Sequence, residues 1–514
     1  MKVNGLLFAL LANCAFAVLA QDRIFLDPPG GAQPLMPKRA CASLRGLTGL
    51  DLSVVSAEHI PASAQGPDHC LVRAFVQPAL EIEVAMPERW NLRFQMAGNG
   101  GFGGDSPSSP AKIQARGQSL RRGFAFTAHN TGHDNKTDPQ AQFAKERQKL
   151  IDWGFRSLHV TVEVSRRLML SYYGSAPVRS YYAGCSGGGR QGLILAQRFP
   201  EDFDGIAVTA PFLNVTGQML RYACDGQALM AAPVSAAKQG LLARKIYELC
   251  DAKDGLKDGV IDDPRACDFD PARDLPHCAP GDNTSTCFTG GELSTLKTMY
   301  SEEKLSNGAS IPPWPVSAEL NNAEGSGWAS WRLIGEESGK GPQMALSFFQ
   351  FAVANPANPD WTLNMFHLQK DASRIQALGP IVDALDADLS AFRDRGGKLL
   401  LAQGWADQAL NPFFTIEYYR SLQKWMGAST DRFSRFYLVP GMYHCGGGPG
   451  VGLPDLLSVV IRWVEAGEVP GALIGKHSEG GKVTRTRPIC VFPSKARYKG
   501  DGNVDDAANF TCVE

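Results

Sequence analysis

Short apolar runs rich in β-branched and aromatic residues recur in two parts of the chain, and segments with a helical period lie between them. Such runs, bounded by turn residues, are typical of buried strands, whereas longer segments with a 3.6-residue period are typical of helices. The predicted strands are residues 92–96, 123–128, 180–183, 205–208, 398–402 and 435–439. Helices are predicted at residues 157–173, 189–197 and 456–465. This alternation predicts an α/β fold with a mostly parallel sheet.

The regular pattern stops between residues 212 and 389, where Pro, Gly, Cys, Trp and Asn are frequent. A connection of this length is too long for a loop inside a compact domain. We therefore predict a lid domain with its own core at residues 212–389, inserted into a catalytic domain of residues 21–211 and 390–514. The chain length of 514 residues agrees with one large domain plus an insertion.

Residues 1–20 carry one Lys, an apolar run and small residues near the end, which is the pattern of a secretory signal peptide. The mature chain would begin near Gln21 and be secreted or periplasmic. A lipoprotein anchor at Cys14 is the alternative, but Asn13 stands before it where a small residue is expected. No later stretch approaches the roughly 20 apolar residues that cross a bilayer, so we expect no membrane partner.

The charges balance, with 51 Lys and Arg against 52 Asp and Glu, which disfavours nucleic acid as a partner and favours a small molecule. Nothing in the sequence bears on the oligomeric state. Of the 12 cysteines, all but Cys14 follow the signal peptide, which favours an oxidising compartment. Spacing alone does not prove their connectivity. Eight of them form close couples: Cys41 with Cys70, Cys250 with Cys267, Cys278 with Cys287, and Cys490 with Cys512.

The strongest local motif is GCSGG, a G-x-S-x-G centred on Ser186 between a predicted strand and a helix. Small flanking residues allow the strained turn that exposes a nucleophilic Ser, although a glycine-rich turn with an idle Ser is the alternative. The backbone N–H of Gly187 would then be one oxyanion donor. The glycine-rich residues 96–104 follow an early strand and would supply the second, from Gly101 in preference to Gly100, unless they form only a flexible loop.

A nucleophilic Ser needs a base and an acid, which follow it in the order Ser, Asp, His in this type of fold. Asp407 and His444 each follow a predicted strand, where an open α/β sheet places its site. A helix cap and a turn histidine are the alternative interpretations. Cys185 precedes Ser186 and Cys445 follows His444, so a disulfide between them would link nucleophile and base. Only Cys224 would remain unpaired.

Two features of the predicted lid have open interpretations. The segment DAKDGLKDGVID, residues 251–262, has closely spaced carboxylates and glycines that suit a structural calcium ion, or it is a solvated acidic turn. The aromatic side chains wall a pocket for a planar acyl group, or they form the core of the lid. They are Trp314, Trp328, Trp331, Phe348, Phe349, Phe351, Trp361 and Phe366.

Several motifs together resemble the tannase and feruloyl esterase family, whose framework the mono(2-hydroxyethyl) terephthalate hydrolases share. They are GCSGGGRQG followed by AQRFPEDFDGIAVTAP, and AGNGGFGG, AHNTGHDN, GWADQALNP and YLVPGMYHCGGGPG. The resemblance runs from about Cys41 to Cys512. It implies an α/β-hydrolase core, a lid inserted between two core strands, and hydrolysis of esters of aromatic acids.

Position by position, the resemblance implies that Ser186, Asp407 and His444 form the catalytic triad. It also implies the Cys185–Cys445 bridge, and the family's remaining bridges match the four close couples. A lid calcium would be bound by the side chains of Asp251, Asp254 and Asp258 and the carbonyls of Leu256 and Val260.

The sequence departs from the family at two positions. Gly187 stands where the family commonly has Thr and terephthalate-type members have Glu, and Asn130 stands where Asp is usual. Gly187 removes a side chain beside the oxyanion hole, so the substrate choice stays open.

The predicted reaction is the hydrolysis of a hydroxycinnamate ester such as a feruloylated sugar, with galloyl esters and terephthalate monoesters as alternatives. A carboxylate-bearing acyl group would need a cationic anchor, and Arg332 beside Trp331 is a candidate. A non-catalytic binding protein is the alternative from another class, but such relatives typically lose a triad member and this sequence retains all three.

Overall fold

The computed structural model describes residues 25, 27–317, 319, 327–332 and 339–514. The predicted signal peptide and Cys14 lie outside the described residues. In the part of the chain that is described, no helix has both the length and the apolar character needed to cross a bilayer.

The strands are β1 Ser53–Ile60, β2 His69–Val76, β3 Leu80–Pro87, β4 Arg93–Ala97, β5 Ala125–His129, β6 Arg179–Cys185, β7 Gly205–Thr209, β8 Glu303–Lys304, β9 Ser310–Ile311, β10 Lys398–Gly404, β11 Ser434–Val439, β12 Leu473–Glu479, β13 Lys482–Ile489, β14 Lys495–Tyr498 and β15 Phe510–Val513. Nine of them form one sheet in the order β1-β2-β3-β5-β4-β6-β7-β10-β11. Three two-stranded sheets are β8-β9, β12-β13 and β14-β15.

The helices are α1 Pro110–Arg121, α2 Arg147–Ile151, α3 Ser157–Tyr173, α4 Gly187–Arg198, α5 Val215–Ala231, α6 Ala236–Cys250, α7 Pro271–Asp274, α8 Gly290–Met299, α9 Trp328–Trp331, α10 Lys340–Phe348, α11 Leu368–Gln376, α12 Gly379–Val382, α13 Ser390–Asp394, α14 Pro412–Met426, α15 Thr430–Phe433 and α16 Leu456–Ala466. The three predicted helices correspond to α3, α4 and α16. Helix α4 begins two residues earlier than predicted.

The six predicted strands are β4, β5, β6, β7, β10 and β11, and each pairs in parallel with its neighbours among these six. Their apolar runs reflect burial, since β10 is buried along nearly its whole length. The sequence analysis missed β1 to β3, which pair antiparallel at one edge of the sheet. In β1, exposed and buried residues are interspersed, so an apolar run is absent.

The predicted insertion, residues 212–389, lies between β7 and β10 and is called the insert below. In its described parts it contains helices α5 to α12 and only the short strands β8 and β9. Its buried side chains, such as Leu220 and Phe348, belong to one continuous cluster with Phe94 and Leu401 of the large sheet. The insert is therefore packed directly on the catalytic domain.

Among the described cysteines, five disulfides are present, and they join the same pairs that the sequence analysis expected. Cys224 on α5 is a buried free thiol, and burial raises its pKa to about 12. At neutral pH it is therefore an unreactive thiol.

Candidate active site

Ser186 lies in the tight turn between β6 and α4. Its backbone has φ 62° and ψ −123°, an unfavourable conformation for a residue with a side chain. The Ser186 amide donates to the Thr209 carbonyl at 3.0 Å, and its carbonyl accepts from the Phe212 amide at 2.9 Å. The neighbouring strand and the start of the insert thus stabilise the strained turn.

The glycines of the motif are required by close backbone contacts. A Cβ at Gly184 would lie 2.6 Å from the Gly188 carbonyl oxygen, and one at Gly188 would lie 3.1 Å from the Cα of Gly98. Helix α4 therefore begins against both its own strand and the loop that follows β4. This geometry is that of a nucleophile elbow.

Asp407 and His444 follow β10 and β11 and form a direct hydrogen bond. His444 Nδ1 lies 3.1 Å from Asp407 Oδ1 and 3.0 Å from Oδ2. The Asp407 carboxylate is buried and accepts three further hydrogen bonds, from the amides of Ala409 and Leu410 and from the side chain of Gln403. An anion with this many donors is held in one orientation. It therefore fixes the orientation of the imidazole.

The backbone of His444 is fixed separately from its ring. The His444 amide donates to Gln408 Oε1 at 3.1 Å. The ring of Trp331, in the insert, meets the imidazole edge to face with 5.9 Å between ring centres. The His444 side chain remains 14% exposed, so one side is open to a ligand.

The Cys185–Cys445 disulfide joins the turn that carries Ser186 to the loop that carries His444, with 5.9 Å between the Cα atoms. Strands β6 and β11 are three steps apart in the sheet, about 14 Å at the usual strand spacing. The loop after β11 must bend back across β7 and β10 to bring Cys445 to Cys185. The disulfide thus keeps Ser186 and His444 on the same end of the sheet.

The predicted oxyanion residues Gly187 and Gly101 lie next to each other. A Cβ at Gly187 would be 2.5 Å from the Gly101 carbonyl oxygen and 2.8 Å from that of Asn99. The glycine loop, residues 98–104, thus occupies the space that a larger residue at 187 would need. The first amides of α4 have no partner within the helix and lie at its positive end, as an oxyanion site requires.

Lys112 contacts the first residue of the glycine loop, and the sequence analysis did not identify it. Its ammonium group donates to the Gly98 carbonyl oxygen, and the residue is 8% exposed. Burial lowers the pKa of Lys112 to about 8. Lysine on an otherwise ordinary helix, here α1, gives no sequence signal for such a position.

The structure does not support Arg332 as a free cationic anchor. Its side chain is fully buried and pairs with Asp225 at 2.8 Å. Its guanidinium lies 3.1 Å from the ring centre of Trp314. The charge of Arg332 is already paired with a carboxylate. Arg332 is therefore connected to the candidate site through other protein groups and is not free to bind a substrate carboxylate.

Most of the aromatic residues of the insert are core residues. Six of the eight are buried: Trp314, Trp328, Phe348, Phe349, Trp361 and Phe366. Trp331 and Phe351 are partly exposed, and only Trp331 of these two has a ring contact with His444. Trp331 is therefore the aromatic residue of this set best placed to contact a ligand.

The acidic loop after α6 crowds several carboxylates together. Burial and the charges of neighbouring carboxylates raise the pKa values of Asp251 and Asp254, and raise that of Asp262 to about 7. Asp258 carries a protein cation already, since it pairs with Arg487. This donor chemistry fits calcium.

Among the side chains that the structure describes, the loop carboxylates do not bring three ligand atoms within 4.8 Å of one another. Within the described residues, one group of three metal-ligating side chains has its ligand atoms within 4.8 Å of one another, and it comprises His159, Glu163 and Asp202. That group is partly exposed and belongs to the catalytic domain, with His159 and Glu163 on α3 and Asp202 just before β7. Arg166 already contacts Asp202 at 3.3 Å and Glu163 at 3.6 Å there.

The family model described as tannase and feruloyl esterase matches residues 69–513, which is most of the chain. The chain belongs to the tannase and feruloyl esterase family. It is therefore a carboxylic ester hydrolase of small-molecule esters with an α/β-hydrolase fold.

Individual relatives match over nearly the whole length. The mono(2-hydroxyethyl) terephthalate hydrolase of Piscinibacter sakaiensis is 32% identical over 93% of this chain and 92% of its own. The probable feruloyl esterase B of Aspergillus clavatus is 31% identical over 91% of both. The crystal structure of feruloyl esterase B from Aspergillus oryzae superposes with a TM-score of 0.80 at 27% identity, over 92% of this chain and 99% of that one.

Proposed function

We propose that this family member is an exported serine esterase that hydrolyses esters of aromatic acids and prefers hydroxycinnamate esters. Ser186 is the nucleophile, His444 is the general base, and Asp407 is the carboxylate that orients the histidine. The observation that carries the proposal is the Asp407–His444 hydrogen bond at 3.0 Å together with the disulfide between the neighbours of Ser186 and His444.

In the proposed reaction, Ser186 Oγ attacks the ester carbonyl while His444 Nε2 takes its proton. The amides of Gly187 and Gly101 stabilise the negative charge that develops on the carbonyl oxygen. His444 then protonates the leaving alcohol, and an acyl-enzyme forms. Water, activated by His444, attacks the acyl-enzyme and releases the aromatic acid. Asp407 stabilises the imidazolium in both steps.

Covalent labelling tests the nucleophile. A fluorophosphonate should label Ser186 and no other residue, as read by mass spectrometry of a digest. Ser186→Ala should fold normally and lose both labelling and at least about 10⁴-fold in kcat, since the nucleophile of a triad is not replaceable. A folded native protein without label would contradict the proposal and support the non-catalytic binding protein.

The acyl preference is tested by a rate panel on one preparation. Methyl ferulate should give the highest kcat/KM, ahead of methyl gallate and a terephthalate monoester. The order rests on the feruloyl esterases among the relatives, and the terephthalate hydrolase among them makes the monoester the second candidate. The charge of Arg332 is paired with Asp225, so Arg332 gives no free cation for a carboxylate. A preference for the monoester would reverse the proposal.

We further propose that the loop of residues 251–262 binds one structural calcium ion. Asp251, Asp254 and Asp258 would hold it through their side chains and Leu256 and Val260 through their carbonyls. The like-charge crowding of the carboxylates supports this, and binding would draw them closer together. Calcium titration of chelated protein should raise the Tm by several degrees, and magnesium should not. No shift with calcium would contradict the site.

Export is proposed on two grounds. Residues 1–20 have the pattern of a signal peptide, and five disulfides suit an oxidising compartment. Expression with these residues should place the protein in the periplasm or the medium, with a mature N-terminus near Gln21. Retention in the cytoplasm would contradict it.

A further inference from the structure

A buried cluster of three charges lies in the insert next to the candidate site. Asp225 on α5 accepts from Arg221 Nε at 3.0 Å through Oδ1 and from Arg332 Nη1 at 2.8 Å through Oδ2. All three side chains are fully buried. Asp225 thus holds two buried cations at once, and the buried carboxylate of Glu319 also interacts with the charge of Arg332.

The two arginines differ in where their remaining donors point. Arg221 donates to the carbonyls of Ser301 at 3.2 Å and Thr298 at 3.1 Å, which both belong to the insert. Arg332 instead donates through Nη2 to the Gln408 carbonyl at 2.9 Å, outside the insert. Of the two arginines, Arg332 is therefore the one that connects Asp225 to the catalytic domain.

Gln408 belongs to the acid loop, residues 405–411, and directly follows Asp407. Its carbonyl accepts from Arg332, and its side chain accepts from the His444 amide at 3.1 Å. A displacement of Gln408 would therefore move the carboxylate of Asp407 and the backbone of His444 together. Trp331, adjacent to Arg332, meets the His444 ring as well.

The rest of the acid loop is supported from the same side. The Tyr222 hydroxyl donates to the Ala409 carbonyl, and Gln218 Oε1 accepts from the Asn411 amide at 3.0 Å. Both Tyr222 and Gln218 lie on α5, as Asp225 does. Helix α5 thus runs along the acid loop and supports it at several successive residues.

We propose that Arg332, held by Asp225, is a positioning residue for the acid–base pair Asp407–His444 and acts through Gln408. The proposal rests on the triad of the proposed function and adds a structural role for the insert, which would place half of the catalytic machinery rather than only cover it. Trp314 completes the arrangement, because its Nε1 donates to Asp225 Oδ2 at 2.8 Å and its ring faces the Arg332 guanidinium.

The matched pair Arg332→Lys and Arg221→Lys tests the proposal. Each variant keeps a positive charge for Asp225, but one ammonium group cannot reproduce the forked contacts of the arginine it replaces. With methyl ferulate, Arg332→Lys should lower kcat about tenfold or more with little change in KM, because a small misplacement of catalytic groups is enough for such a loss. The acid limb of its pH–rate profile should also shift.

Arg221→Lys should keep kcat within about twofold, although its Tm falls as much, since its other partners lie away from the acid loop. Equal losses of kcat in both variants would overturn the proposal and leave Arg332 a purely structural residue. A loss confined to a terephthalate monoester, with methyl ferulate unaffected, would instead make Arg332 a substrate anchor. Fluorophosphonate labelling of the native protein separates these outcomes from failure of the triad itself.

A second variant covers the case in which Arg332→Lys does not fold. Gln408→Leu removes the acceptor for the His444 amide and leaves the backbone carbonyl to Arg332. It should lower kcat about tenfold with an unchanged circular dichroism spectrum. Native kcat in a folded Gln408→Leu protein would contradict a path through Gln408.

Discussion

The two halves of the candidate site are stabilised in different ways. The nucleophile half, Ser186 with the glycine loop, is fixed by backbone atoms in direct contact, as at Gly184 and Gly188. The acid–base half, Asp407 with His444, lies on two loops that are fixed by a hydrogen bond from the insert to Gln408, by the hydrogen bond between Gln408 and His444, and by a disulfide. The first half should therefore be sensitive to added atoms and the second to lost polar groups and cross-links.

The steric half is tested by adding one methyl group. Gly184→Ala would place a Cβ 2.6 Å from the Gly188 carbonyl oxygen, where neither backbone segment can yield cheaply. We expect a loss of at least about 100-fold in kcat/KM and a fall of about 1–3 kcal/mol in the free energy of unfolding. Steady-state kinetics and urea unfolding measure the two effects.

Gly471→Ala is the matched control, because a Cβ there meets no atom within 4 Å. It should keep both native activity and native stability. Full activity in Gly184→Ala would show that the turn is not as tightly packed as the structure indicates.

The cross-link of the second half is tested by replacing both Cys185 and Cys445 with Ser. The disulfide closes a loop of 260 residues, and chain entropy predicts a loss of about 5.6 kcal/mol against about 2.6 kcal/mol for Cys278–Cys287, which closes 9. Activity at low temperature should fall because His444 loses its fixed place. The control variant, in which Cys278 and Cys287 are both replaced with Ser, should stay active.

Chemical denaturation of the two double variants at one pH gives the comparison. If removal of Cys278–Cys287 lowered kcat as much as removal of Cys185–Cys445, the link between the Ser186 turn and the His444 loop would have no special role.

The sequence predicted the parallel half of the sheet, because buried parallel strands are apolar runs, and it placed Ser186, Asp407 and His444 after the ends of such strands, where the structure has them. It did not show Gln408 or the Asp225–Arg332 pair, since those contacts depend on where the insert lies in space. Arg332 was interpreted as a substrate anchor because a sequence does not reveal that Asp225, 107 residues away, pairs with it.

The smallest effect on kcat is expected from Lys112, whose ammonium group is a polar contact within the nucleophile half. Lys112 donates to the Gly98 carbonyl, and its pKa is lowered by burial to about 8. As pH rises through 8, the folded protein loses this charge before the unfolded chain does. The positive charge beneath the glycine loop is therefore present at pH 7 and absent at pH 9.5.

We expect kcat of the native protein to fall about two- to threefold between pH 7 and 9.5, as the loop loses a charge-assisted hydrogen bond. Lys112→Met should have the lower kcat already at pH 7 and show no further fall, whereas exposed Lys145→Met should follow the native profile. The stability contribution has the opposite sign, since burial of a charged lysine is unfavourable: the native protein should gain stability relative to Lys112→Met as pH rises from about 8 to 10.5. Parallel pH profiles of kcat in the native protein and Lys112→Met would show that backbone contacts alone fix the nucleophile half.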